Sequence, residues 1–406
     1  MDTAFHGHFE RVPVEVRQCE DLARGHGLFA LRWLSKGEVI FVERPVVAVV
    51  DCFASAHAAA LPSCSACQAS HVTNPWGCRV PHAEKRWPKF DVVGCKEACP
   101  ASYCHRFCRE RALVHGHARW CGKEALFQQL VRYCEFELPE AWDPVRHVVL
   151  LSLHVVARVL EESAGQGAAR PVRDLFRQMS GTRNTEPWTP HELHRLIVEM
   201  LDMTPEEQLG FAPEDLRECV GKLLCNAIEV RPQSAFAQYM HNSRADRRGD
   251  GDGGGGGATT RLVALARSLQ REEDEQERAS ADLEGSGGDW VESAELKASD
   301  VDNFFGERTG PACTGVYALH SKLNHSCRPN VVVVSGAFYD STIEVTAARD
   351  IAEGEELCFS YTNPKLSRVQ RRRVLLANHF FHCMCPECVV PTATTPSAGP
   401  IVEATS

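Results

Sequence analysis

Four closely spaced cysteine and histidine pairs fall within residues 64–121 of this chain. They are Cys64-x2-Cys67, Cys95-x3-Cys99, Cys104-x3-Cys108 and His117-x3-Cys121. Short spacing lets both members of a pair reach one ion from a single turn, and zinc takes four such ligands tetrahedrally. Eight ligands suit two closed, structural zinc sites, whose binding energy is folding energy. Two alternatives stay open: Cys78 in place of Cys95 or Cys99, and His115 in place of His117. A second group, Cys383-x-Cys385-x2-Cys388, has three cysteines and needs a fourth ligand. Cys327 is the best candidate, and the ion would then pin this end of the chain against the segment Asn324–Asn330.

The remaining composition narrows the class. The 406 residues predict two or three compact units, and 44% apolar content allows a sizeable core. The start, Met1-Asp2-Thr3-Ala4-Phe5-His6, lacks a charged region followed by an apolar run, so no secretory signal is expected. The longest apolar stretch, Val145–Leu160, is broken by Arg146, His147, His154 and Arg158, which argues against a bilayer span. The expectation is an intracellular protein of cytoplasm or nucleus, away from membranes, whose 19 cysteines serve metal rather than disulfides. Net charge is −10. Residues 64–121 carry 9 Lys/Arg and 4 Asp/Glu, and two zinc–thiolate centres would reduce this +5 to about +2. That argues against direct nucleic-acid binding.

Alternating valines at Val12, Val14 and Val16, then Val39–Val42 and Pro45–Val50, read as strands, with Arg24-Gly25-His26-Gly27 as a turn. Apolar residues at helical spacing in Val145–Leu160 and His191–Leu201, and the helix start Thr204-Pro205-Glu206-Glu207, make 122–242 helical. Residues 243–300 hold a glycine run, Gly253–Gly257, with 8 Lys/Arg and 14 Asp/Glu. They read as a flexible insertion in which Leu262–Arg278 forms one solvated helix. Asn330–Val334 and Ile343–Thr346 are strong strands, and 391–406 reads as a disordered tail.

The ligand spacing in 64–121, with Tyr103 before the third pair, resembles a MYND zinc finger. The resemblance implies interleaved ligation: the first and third pairs on one zinc, the second and fourth on the other. The sequence departs from that pattern in the long gap from Cys67 to Cys95 and in the extra residue of Cys95-x3-Cys99. Asn324-His325-Ser326-Cys327-Arg328-Pro329-Asn330, Gly354-Glu355-Glu356-Leu357-Cys358-Phe359-Ser360-Tyr361 and the earlier Arg24–Ala30 resemble, in that order, the motifs of a SET domain. A SET domain split by a MYND finger marks the SET-and-MYND family of protein lysine methyltransferases. This chain resembles its short branch, which lacks the C-terminal helical repeat domain. The implied fold is α+β: small antiparallel sheets with knot-like threading, the finger, and a helical subdomain. Its parts would be 10–50 and 301–364 for the SET halves, 64–121 for the finger, 122–242 for the helical insert and 365–390 for the zinc region after SET.

The resemblance implies S-adenosylmethionine as methyl donor, a protein lysine on histone or non-histone proteins as acceptor, and three zinc ions. Tyr361 would be catalytic, its hydroxyl beside the reacting methyl and amine. Arg24, Gly25, His26 and Gly27 would surround the donor's amino-acid end. Asn324 and His325 would bind it through side-chain and backbone hydrogen bonds, Asn226 would touch it, and Phe381 would stack on adenine. Tyr317 would line the lysine channel. His379 stands where some members carry a second active-site tyrosine. The competing reading is an inactive adaptor whose finger binds proline-containing peptides; a zinc hydrolase fails, because no open three-ligand site with a carboxylate base stands out. Metal analysis of the purified protein is expected to return about three zinc ions per chain, and one or none would overturn the ligand assignment.

Overall fold

The computed structural model describes residues 12–21, 24–50, 62–76, 79–96, 99–138, 146–164, 171–179, 181, 190–249, 255–284 and 296–389. Cys78 and the expected disordered tail lie outside them. The alternating valines form β1 (Val14–Gln18), which pairs antiparallel with β2 (His26–Ala30). Gly25, in the turn between them, takes φ +66°, a region glycine enters without strain. β2 pairs antiparallel with β12 (Glu356–Phe359), setting Leu28 opposite Leu357. β12 in turn pairs in parallel with the short β9 (Asn324–His325). A second sheet runs β10 (Val331–Ser335), β11 (Ile343–Ala347), β3 (Val39–Glu43). A third runs β4 (Val47–Val50), β8 (Cys313–Val316), β7 (Ala227–Val230). Each of these sheets joins strands from before residue 51 to strands from after residue 226, so everything between is a long excursion from one sheet system. Leu28, Leu34, Phe41, Val345, Ile351 and Leu357 close its core. The architecture is α+β with small, mostly antiparallel sheets.

The excursion has two parts. In the finger, β5 (Val93–Gly94) and β6 (Ser102–Tyr103) precede helix Arg106–Ala112 and a kinked turn, Leu113–His117. Gly116 makes the kink at φ +100°, and a Cβ there would lie 2.8 Å from Ala157 Cβ and 2.9 Å from Ala157 C. The finger therefore docks on helix Arg146–Ala164 through a bare glycine. That helix and His191–Met200 bury Val149, Leu151, Leu153, Ile197 and Met200 in one core. The start expected at Thr204 is a capping box, with Thr204 Oγ1 accepting from Glu207 N at 3.2 Å and Thr204 N donating to Glu207 Oε2 at 2.9 Å.

The insertion differs from the expectation of a solvated helix. Helix Gly255–Glu284 buries Leu262, Leu265, Ala266 and Leu269 against Val72, Val80 and Trp87 of the finger's long Cys67–Cys95 gap. Ala235, Phe236, Tyr239, Phe304 and Phe305 complete this second core. The four buried positions are spaced i, i+3, i+4 and i+7, one face of a helix. The charge run that follows, Arg271–Arg278, dominates the composition of the segment and hid this short apolar stripe. Arg79 reaches Glu272 at 2.8 Å, and Arg308, 3.7 Å over the Phe304 ring, pairs with Glu273. The two departures from the ordinary finger and SET pattern thus pack on each other. Removing residues 244–284 would expose this core. Leu265→Asp, which buries an unpaired charge, is expected to cost about 3–5 kcal/mol in chemical denaturation, against about 0.5 kcal/mol or less for the exposed Glu275→Gln. Equal effects would return the helix to a solvated role.

Candidate functional site

Among the described residues, three groups of four side chains have their ligand atoms within 4.8 Å of one another: Cys64, Cys67, Cys104 and Cys108; Cys95, Cys99, His117 and Cys121; Cys327, Cys383, Cys385 and Cys388. The donor sets suit a closed zinc site, with four soft or imidazole ligands and no carboxylate. The interleaving is geometric: the strands of the small β5–β6 hairpin carry ligands of both finger groups near their ends. His117, not His115, points into the second group. Two further residues stand close by. His71 is buried with Nε2 3.3 Å from Cys104 Sγ. Arg371 lies against Cys327 and Cys388, where its charge faces thiols. Arg371 belongs to helix Arg368–His379, which Ser367 caps by accepting from Gln370 N at 3.3 Å.

The third group adjoins the residues singled out for chemistry. Asn330, buried, fixes the strand that bears them: its Oδ1 accepts from Cys358 N at 2.6 Å, and its Nδ2 donates to Glu356 O at 2.8 Å and Glu355 Oε1 at 2.9 Å. His325 then spans two elements. Its Nδ1 accepts from Tyr361 N at 3.0 Å, so in the neutral ring Nε2 carries the hydrogen, 3.3 Å from Cys327 Sγ. Burial, helped by the nearby charges of His379, Arg24 and Arg371, pushes its pKa down to about 4, so the ring is neutral at pH 7. Both ring nitrogens are engaged within the protein, which leaves the His325 backbone to meet a ligand.

The Tyr361 hydroxyl donates to Leu323 O at 2.6 Å, and burial raises its pKa well above the usual phenol range. With its hydrogen placed there, the oxygen presents lone pairs to whatever lies beyond. Phe359, His379 and Phe381 surround the ring at centroid distances of 6.0, 4.8 and 6.4 Å. His379 Nδ1 is buried without a hydrogen-bond partner, and burial lowers its pKa. Phe381 lies 5.8 Å from the His325 ring.

On the other side of β12, Glu356 gathers the first motif. Arg24 pairs with its carboxylate at 2.8 and 3.0 Å, and Asn324 Nδ2 donates to it at 2.9 Å. Cys19, whose thiol burial and Glu356 push up to about 11, donates from 3.5 Å. Gly27 makes room for this group: a Cβ would lie 2.7 Å from Glu356 Oε1, 3.1 Å from Asn324 Nδ2 and 3.1 Å from Cys19 Sγ. The His26 side chain is exposed, while its carbonyl accepts from Asn324 Nδ2 at 3.3 Å. Asn226 turns its amide back to Lys222 O at 2.7 Å, and the preceding Cys225 is close enough for its charge to act on Tyr361. Glu43, at the end of β3, accepts from Leu319 N at 2.8 Å and His320 N at 3.0 Å, fixing the turn before Asn324; burial pushes its pKa up to about 7. Glu356 could have been found from its place in Gly354-Glu355-Glu356-Leu357 as a counter-charge for Arg24; Glu43 carries no sequence signal.

Tyr317 does not join this group. It is fully buried with Val230, Cys313 and Ile343, and its hydroxyl donates to Ser341 O at 2.5 Å. Its polar end is thus spent inside the core, apart from the Tyr361 group.

A family model described as the SET domain matches residues 25–362. The human protein-lysine N-trimethyltransferase SMYD5 is 27% identical over 409 residues, covering 93% of this chain and 87% of that protein. Its chicken counterpart is 26% identical, covering 90% and 84%. A SET and MYND domain-containing protein of Dictyostelium discoideum is 38% identical over 90 residues, covering 22% of this chain and 16% of that protein. The chain belongs to the SET domain family, in its SET-and-MYND lysine methyltransferase branch. Cys388→Ser is expected to lower the metal content by about one ion. It should also reduce hydrogen-exchange protection of the Tyr361 amide, which depends on His325 and through it on Cys327. Unchanged protection would uncouple the cluster from the tyrosine.

Proposed function

We propose that this chain is an S-adenosylmethionine-dependent protein lysine methyltransferase acting on intracellular proteins, with histones among the candidate substrates. The observation that carries the reading is the convergence of Tyr361, His325, Phe381 and the Arg24–Asn324–Glu356 group around one strand pair, β9 and β12. The match of a SET model to most of the chain and the names of its relatives support the same activity. A Meyerozyma guilliermondii histone-lysine N-methyltransferase SET5, 46% identical over 74 residues (18% of this chain, 15% of that protein), supports histone as a substrate class. Among the described residues no helix is long and apolar enough to cross a membrane.

The residues fit the donor. The charged and polar group of Arg24, Asn324 and Glu356 suits an amino-acid end, and the half-buried Phe381 suits an aromatic ring system. When bound, the sulfonium supplies an electrophilic methyl group. The chain's own residues then hold the partners. A lysine amine must arrive neutral, and at pH 7 an ordinary lysine, pKa about 10.4, is almost wholly charged. The apolar ring of Phe359, Phe381 and Tyr361 disfavours the charged form. The Tyr361 oxygen, its hydrogen committed to Leu323 O, accepts an N–H and turns the amine's lone pair outward toward the methyl. Catalysis here is mainly orientation. His379, whose buried Nδ1 has no partner within the protein, packs against the Tyr361 ring and would help to shape the space the amine occupies. In this reading zinc occupies all three clusters.

Tyr361→Phe keeps the ring and removes the oxygen. Turnover is expected to fall about 10²-fold with donor affinity and folding retained. His325→Ala cuts the link from Cys327 to Tyr361, and both calorimetric donor affinity and metal content should fall. Methyl transfer read by mass spectrometry on histones and cell extract checks the first. Donor binding without transfer by the wild-type protein would favour the adaptor reading.

A further inference from the structure

Outside the methyl-transfer site, the seam where finger, sheet core and helical insert meet encloses a pocket of about 90 Å³. None of Arg24, Asn324, His325 or Tyr361 lines it. Three guanidinium groups from three separate segments do: Arg44 after β3, Arg111 in the finger helix Arg106–Ala112, and Arg158 in helix Arg146–Ala164. The only carboxylate among its lining residues is Asp340.

The arginines are poorly served by the protein. Arg158 gives Nε to Glu162 at 3.4 Å, but its Nη1 is buried with no hydrogen-bond partner. Arg111 gives one nitrogen to Ala66 O at 3.0 Å. Arg44 approaches Asp340 only to 3.8 Å and stays on the exposed rim. Burial pushes the Arg158 guanidinium down, Glu162 pulls it back up, and the charge of Arg111 adds to the downward push. A buried guanidinium nitrogen without a partner costs free energy, and like charges facing one pocket add to it. His115, the residue left over when His117 entered the second metal cluster, and His154 also line the pocket, beside Ser65, Ser341 and the cluster residues Cys67 and His117.

We infer that this pocket is a binding site for a phosphate oxyanion, held by Arg44, Arg111 and Arg158 between the finger and the catalytic unit. The volume equals that of about three waters, the size of a small tetrahedral anion. Guanidinium forks match phosphate oxygens, and charge-assisted hydrogen bonds to them are strong. The ligand would bridge segments of the finger, the sheet core and the helical insert, so binding would tighten the docking of the finger. This inference is independent of the methyl-transfer reading.

The test uses the full-length, zinc-loaded protein in inorganic phosphate against chloride at equal ionic strength. Phosphate is expected to raise the melting temperature by about 2 °C or more, by mass action on the folded state. Arg111→Gln should weaken phosphate binding at least about tenfold by calorimetry. Arg44→Gln, on the exposed rim, tests the site without touching the core and should also weaken it, even where Arg111→Gln fails to fold. A short phosphoserine peptide is the second probe. Binding of phosphate alone assigns the site to the free ion, and equal or tighter binding of the peptide assigns it to a phosphate ester; both support the inference. Protection by phosphate no greater than by chloride, together with no peptide binding, overturns it, as does binding by wild type that neither variant alters.

Discussion

Twelve side chains are drawn into three tight groups whose thiol ligands repel one another once ionised, and only a cation makes such an arrangement stable. That constraint sets much else. Cys64 and Cys67 must meet Cys104 and Cys108, so the segment between them is folded back whatever its own preferences. Cys327 must meet Cys383, Cys385 and Cys388, which brings helix Arg368–His379 onto the β9–β12 pair. Tyr361 and Phe381 pack against this third group, and His325 ties it to the Tyr361 amide. The side chain proposed to orient the amine therefore inherits its position from a metal site several residues away.

The centre itself is built by polar groups that satisfy one another in a buried setting. Asn330 joins the Asn324–Asn330 segment to β12 with two hydrogen bonds and to the preceding Glu355 with a third, and leaving them unpaired would cost more than the bonds contribute. Glu356 collects Arg24, Asn324 and Cys19 against Gly27, so the first and last motifs of the SET pattern meet at one carboxylate. Such a network is rigid before anything binds, which is what a reaction limited by orientation needs.

The insertion shows how a stretch with an outwardly disordered composition can be structural. Its glycines and charges dominate the count, yet Leu262, Leu265, Ala266 and Leu269 form one face, and that face covers Val72, Val80 and Trp87. Each half would leave apolar surface in water without the other, so the long finger gap and the insertion are stable as a pair.

Sequence alone determined the ligand pairs, the strands around Val14, Val39, Val331 and Ile343, the helices at 146 and 191, and the motif order that marks the SET-and-MYND family. These signals are local: a spacing, a period or a short motif fixes them within a few residues. Tertiary structure decided the rest. It took His117 rather than His115 into the second cluster, because Gly116 turns the chain against Ala157. It buried Tyr317, and it committed both nitrogens of His325 to the protein. It also placed Glu43 and Glu356 where backbone and arginine need a carboxylate. Each outcome depends on which distant atoms fill the last few ångströms around a polar group, and no local pattern carries that information.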